Sequence, residues 1–193
     1  MVLKFDRIGV ADRVAPLSRE RAVAFTAACV ERRKPGADLL AEQGRQADLA
    51  TFETTLSDLW AVAAGELAPS ARPWDGLDGF AEIQSEEEAE GKLAFCEDAV
   101  ATLWYATKLI RDNDAEFAVH CASRSVDSAG FLDDSTGDAG EFGDSEIRLQ
   151  LADLADLGLT DLPAAELIAR LRDRAAGEAS RTASALQEVD DED

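Results

Sequence analysis

Between Leu93 and Arg111 the chain carries the pattern that most restricts its fold. Phe95, Cys96, Ala99, Val100, Leu103, Trp104, Thr107 and Ile110 recur there at the three-and-four spacing of an α-helix. The apolar arc they cover is too wide for a helix lying on a surface, so this helix must be packed on several sides. Other helices have to supply the packing, because no segment alternates with the two-residue period of a strand and no internal repeat is present. The expectation is an all-α, single-domain bundle of six to seven helices around a central apolar helix at about Leu93–Arg111.

The 193 residues suit one domain, and their apolar share of 46% is enough for a full core. Alanine and leucine supply much of it, a mixture that favours helix over strand. Ser18 reads as an N-cap, with Ala22, Phe25, Thr26, Cys29 and Val30 along one stripe behind it. Arg32-Arg33-Lys34 then reads as a cationic last turn and Pro35-Gly36 as the stop, with a short helix over Asp38–Gln43. A longer helix is expected over Gln46–Ala64, closed by Gly65, then a loop carrying Trp74, with a weak helical turn over Leu77–Ile83. Ser85 and Glu88 have capping-box spacing, and Asn113 or Asp114 caps a helix over about Ala115–Ala129. Residues 130–144, rich in Gly, Asp and Ser, read as a long loop. Ile147, Leu151, Leu154 and Leu157 line the next helix, which Gly158 ends, and Thr160-Asp161-Leu162-Pro163 opens the last. The domain is placed at residues 1–176, with 177–193 as an acidic, disordered tail.

Charge is distributed unevenly. Residues 1–74 hold ten basic and ten acidic side chains, while residues 75–161 hold five basic against 22 acidic. With a net charge of −21, the chain repels nucleic acid, whose binding needs cations to displace phosphate counterions. It likewise repels anionic membrane surfaces. Partners selected by electrostatics should be basic proteins, cations or cationic small molecules. The same acid would also serve solubility in a salt-adapted or GC-rich host, with no partner implied. There is no membrane-length apolar run and no signal-peptide pattern. The three cysteines lie singly in apolar helical patterns, so a cytoplasmic protein with reduced, buried thiols is expected.

Reaction chemistry finds little material. The single histidine, His120, is adjacent in sequence to Cys121, and neighbours on a helix point about 100° apart, so the two cannot pair. Three scattered cysteines and one histidine make no zinc pattern. Asp133-Asp134-Ser135-Thr136-Gly137-Asp138 lacks the order of a calcium loop. One histidine cannot furnish a di-iron site, and there is no phosphate loop or nucleophile elbow. No catalytic residue, metal or cofactor is therefore expected.

Two charged groups sit where burial is expected: Glu31-Arg32 at a helix end and Glu97-Asp98 in the most apolar helix. A buried carboxylate needs a partner, because burying it alone costs several kcal/mol. Arg32 or Arg33 is the expected partner of Asp98, either as an ion pair joining two helices or as the wall of a polar pocket.

The run from Cys29 through Glu31, Arg32 and Arg33 to Pro35, the segment Leu56-Ser57-Asp58-Leu59-Trp60, and Glu97-Asp98-Ala99-Val100-Ala101-Thr102-Leu103 together resemble the YjaG-like family of small bacterial proteins. The likeness runs from about Leu17 to Arg172. It implies an all-helical domain of unknown function and would make Cys29, Glu31, Arg32, Pro35, Trp60 and Asp98 signature positions. Gly36-Ala37 departs from the polar-then-aromatic pair the family tends to carry there.

The functional expectation is a non-enzymatic binding or regulatory protein that sets its acidic face against a basic protein. An immunity- or antitoxin-like protein is one concrete form. The alternative is a small-ligand-binding protein or enzyme with a pocket near Glu31, Arg32 and Asp98. A DNA mimic is a third reading, needing phosphate-like spacing of carboxylates along one edge. The oligomeric state is left open.

Overall fold

The structure, a computed structural model, describes residues 3–87, 89–137, 140–159 and 162–189. Among them the chain forms helices and no strands: α1 (Arg7–Val14), α2 (Arg19–Glu42), α3 (Gln46–Ala63), α4 (Ala81–Gln84), α5 (Lys92–Asp112), α6 (Glu116–Thr136), α7 (Glu141–Gly158) and α8 (Ala164–Leu186). One helical turn of 3-10 type lies at Pro69–Ala71. None of these helices is long and apolar enough to cross a membrane. The all-α bundle expected from the sequence is what forms.

α5 is enclosed as its pattern requires, by α2, α3, α4 and α6. The hub of the bundle is nonetheless α2, which packs against α5, α8, α3 and α6 and also touches α7. Every residue from Ala22 to Val30 is buried, on all sides of the helix. The alanines at 22, 24, 27 and 28 keep α2 slim, so neighbouring helices close on it from every direction.

Pro35-Gly36 does not stop α2, which continues to Glu42. Proline removes the donor that the Glu31 carbonyl would receive and costs a helix interior about 3 kcal/mol. Burial of Pro35, Gly36, Ala37 and Leu40 offsets that cost. Gly36 has a packing reason: a Cβ there would lie 2.3 Å from the Phe95 carbonyl oxygen of α5. The dipeptide marks a close helix crossing, and Arg32-Arg33-Lys34 is mid-helix rather than a last turn.

Four further expectations change. Residues 130–144 are mostly helical: α6 extends to Thr136, Gly137 takes a left-handed C-cap at φ 76°, and α7 begins at Glu141. Both oxygens of Asp133 accept α7 amides, from Phe142 and Gly143 at 2.8 Å each, which holds the turn tight. Ser85 starts no helix. Its hydroxyl bonds to Glu87 in a local turn, and α5 begins only after Gly91, at φ 56°. Glu88, Asp138, Thr160 and Asp161 lie outside the described residues. The chain also stays ordered past Ala176, since α8 reaches Leu186 and Ala185, Leu186 and Val189 pack with Phe95, Leu132 and Phe142. Of the expected tail, residues 190–193 are outside the described part. Leu151, expected in the core, is 39% exposed.

The long-range capping is carried by arginine. Arg21 Nη1 donates to the Leu157 carbonyl at the end of α7 at 2.7 Å, and Arg19 does the same for Ile110 in the last turn of α5. Both cations meet the negative end of a helix dipole.

Candidate functional site

Four buried charged or polar groups converge where α2 crosses α7. Glu146, Gln150 and Asp153 recur at steps of four and three, which puts them on one face of α7. That face meets Arg32, whose side chain is fully buried. Its guanidinium grips Glu146 with two bonds, Nε to Oε2 at 2.8 Å and Nη2 to Oε1 at 3.0 Å. Nη1 donates to Asp153 Oδ2 at 2.7 Å, and Nη2 also lies 3.4 Å from Cys29 Sγ. Gln150 Nε2 donates to Glu146 at 2.8 Å and to the Ala122 carbonyl of α6 at 2.9 Å. From α8, Arg174 Nε lies 3.1 Å from Asp153 Oδ1, and the same guanidinium reaches Asp156. Arg33 Nη2 adds a longer contact of 3.5 Å to Glu146.

Burial alone would lower the Arg32 pKa, but Glu146 and Asp153 outweigh it and hold the guanidinium above its ordinary value. Glu146 is the mirror case: burial pushes its carboxyl up, and Arg32 with Arg33 pull it below the usual range. For Arg33 burial prevails and its pKa is lowered. Arg32, Arg33 and Arg174 thus face Glu146, Asp153 and Asp156, with Arg170 3.7 Å from Asp156 at the edge, and the network joins α2, α7 and α8. Arg32, Glu146 and Asp153 at its centre are fully buried, while Arg174 and Asp156 at its edge stay partly exposed.

The three residues expected to form one cluster belong to three different junctions. Arg32 is in the α2–α7 network. Asp98 pairs with Arg124 of α6, at 2.6 Å to Nε, and not with Arg32 or Arg33. The same arginine bonds Glu97 at 2.9 Å. Burial pushes Asp98 up to about 6, against the pull of Arg124 and Ser128. Glu31 accepts the indole N–H of Trp60 at 3.0 Å, tying α2 to α3, with the Arg172 guanidinium 5.2 Å from the Trp60 ring centre. The burial expected for Arg32 and Asp98 is found. The convergence is not.

The remaining chemistry-bearing residues are also placed. Cys29, Cys96 and Cys121 are buried and free, and Cys29 touches Cys121 across the α2–α6 contact. His120 stacks on Tyr105 at 5.2 Å and lies 3.3 Å from Arg7. Pro35 is buried within α2. Among the described residues no three metal-ligating side chains form a group, and Asp133 spends its oxygens capping α7.

Sequence reasoning missed Glu146, Gln150, Asp153, Arg124 and Arg174. The α7 set had a readable signal, because three polar residues at helical steps sit among Ile147, Leu154 and Leu157. Which cation met them was not readable, since Arg32 is 114 residues from Glu146.

No family model, no curated protein and no solved structure matches this chain. The resemblance to the YjaG-like family therefore stands on the sequence motifs alone.

Proposed function

We propose that this protein is a non-enzymatic binding protein whose acidic surface engages a basic protein partner. The observation that carries the reading is how the chain uses its own cations. Arg32, Arg33, Arg124 and Arg174 face buried carboxylates, and Arg19 and Arg21 turn to helix-end carbonyls. Glu86, Glu87, Asp114 and Asp134 are exposed, and no cation of the described residues forms an ion pair with them. The negative field left outside is what a basic surface would be drawn to. A protein that neutralises a basic enzyme, as an immunity protein or antitoxin does, is one concrete form.

A ligand site or active site built from Glu31, Arg32 and Asp98 loses its geometric basis, because each serves a separate helix junction. Affinity capture from the producing cell at about 50 mM and 500 mM salt tests the binding reading, since exposed charges are screened over about a Debye length. One stoichiometric partner of high isoelectric point, released at high salt, is expected. Recovery of no basic protein, or retention indifferent to salt, overturns it and leaves the acid as a solvating surface.

A further inference from the structure

On the acidic side of the bundle, α6, α7 and the segment before α1 enclose an open cleft of about 630 Å³. Its apolar lining is Leu3, Phe5, Val126, Phe131 and Ile147. Phe131 is 37% exposed and its ring lies 5.0 Å from that of Phe95, tilted by 32°. Gly130 widens the cleft: nothing lies within 4 Å of where its Cβ would stand. Two glycines on facing helices, Gly130 and Gly143, approach closely and set the depth, a Cβ on Gly143 falling 3.7 Å from Gly130 Cα.

The carboxylates around this lining divide into two kinds. Asp133 is consumed by the α7 amides, and Asp144 accepts the Leu3 amide at 2.6 Å and an Arg148 contact at 3.1 Å. Asp127 and Asp134 are exposed; Asp134 forms no ion pair with a described residue, while Asp127 lies in reach of Arg124 and Ser123. Burial pushes the Asp127 carboxyl up, against the pull of Arg124, which is also bound to Glu97 and Asp98, and of a hydrogen bond with Ser123. An apolar channel with an aromatic ring, the unpaired carboxylate of Asp134 and that of Asp127, which shares Arg124 with Glu97 and Asp98, matches a side chain that is aliphatic along its stem and cationic at its end.

We propose that this cleft is where the basic partner docks, by inserting an arginine side chain. The stem would lie along Val126 and Ile147, the guanidinium plane against Phe131, and its charge between Asp127 and Asp134. Arginine is favoured over lysine because a planar guanidinium both stacks on aromatic rings and bridges carboxylates. This inference rests on the basic-partner reading and adds the place and the side chain.

The test is an amide NMR titration of the full chain with the blocked tripeptide acetyl-Gly-Arg-Gly-amide and with its citrulline counterpart, which keeps the shape and loses the charge. Shifts confined to 126–134 and 140–147 with the arginine peptide, and absent with citrulline, are expected. The double variant Asp127→Asn/Asp134→Asn should weaken binding at least fivefold, and Gly130→Leu, which fills the cleft while leaving both carboxylates, should abolish it. Equal shifts at Glu86 and Asp114, or unchanged binding in Gly130→Leu, would show that charge alone attracts the peptide and overturn the cleft. A captured basic partner that binds both variants as well as the parent protein also sinks this inference while leaving the proposed function intact.

Discussion

Replacing Arg32 with methionine isolates the energetics of the buried network. Methionine keeps most of the aliphatic stem and removes the guanidinium. The parent side chain makes three bonds to ionised carboxylates, at 2.7 to 3.0 Å. Bonds to charged groups contribute roughly 1.5–3 kcal/mol each to net stability. Removing one partner of a buried ion pair costs about 3–5 kcal/mol, mainly because the orphaned charge stays buried. Since domains of this kind hold about 5–15 kcal/mol in all, Arg32→Met should lose at least about a fifth of the stability at pH 7. Urea unfolding followed by tryptophan fluorescence and circular dichroism measures it. The pH dependence adds a sharper check. In the parent protein Glu146 has a depressed pKa, so its contribution is present above the unfolded value near 4.5 and is lost as pH falls through the folded one. In the variant, Glu146 and Asp153 have lost their main partner and burial raises both, so they take up protons well above pH 4.5. The deficit should therefore shrink between pH 7 and pH 5. A loss under 1 kcal/mol at pH 7, or one that does not shrink on acidification, would refute the account. Arg32→Met/Glu146→Leu/Asp153→Leu, which removes both orphans, should recover most of the loss.

Four other outcomes are expected. Gly36→Ala should destabilise by about 2 kcal/mol or more, because overpacking a tight contact forces α2 from α5, whereas Gly177→Ala, exposed and with nothing within 4 Å of its Cβ, should stabilise by about 0.5–1 kcal/mol; paired melting curves decide both. Asp98 should titrate near 6 by carbon NMR, and because its folded pKa lies above the unfolded 3.8 it favours folding below about pH 4 and loses that as pH rises through 6. Asp98→Asn should then gain relative to the parent across that window, by at most about 3 kcal/mol, since each tenfold change in proton affinity corresponds to about 1.36 kcal/mol, and a midpoint under 4.5 would contradict it. A chain cut after Ala176 should melt well below the full one, because it lacks Ala185, Leu186 and Val189 against Phe95 and Phe142.

Helix class was legible because burial imposes a period on sequence, and the Leu93–Arg111 stretch shows it plainly. Boundaries failed where a local signal was overridden by packing. Pro35-Gly36 has the composition of a stop and is instead a crossing, and only the position of Phe95 distinguishes the two. Residues 130–137 have loop composition, yet Ala129 and Leu132 bury one face and keep α6 going. The role of α2 as hub was visible in the unbroken small and apolar run from Ala22 to Val30, which has no solvent face to spare. For the candidate site, the sequence indicated that Arg32 and Asp98 would be buried. It could not supply their partners, because ion pairing across 114 or 121 positions leaves no mark in local spacing.

That separation has a consequence for how the chain is made. At a synthesis rate of about 5–20 residues per second, Glu146 leaves the ribosome roughly 6–23 s after Arg32. For that interval the most enclosed helix of the finished bundle carries two arginines with no counter-ion, and they keep water on its α7-facing side. α2 can pair with α3 and α5 as they emerge, but its core cannot dry until α7 brings in its acids. Closure of the bundle is thereby deferred to the last two helices, and an N-terminal piece ending at Asp112 is expected to stay loosely packed however apolar its sequence.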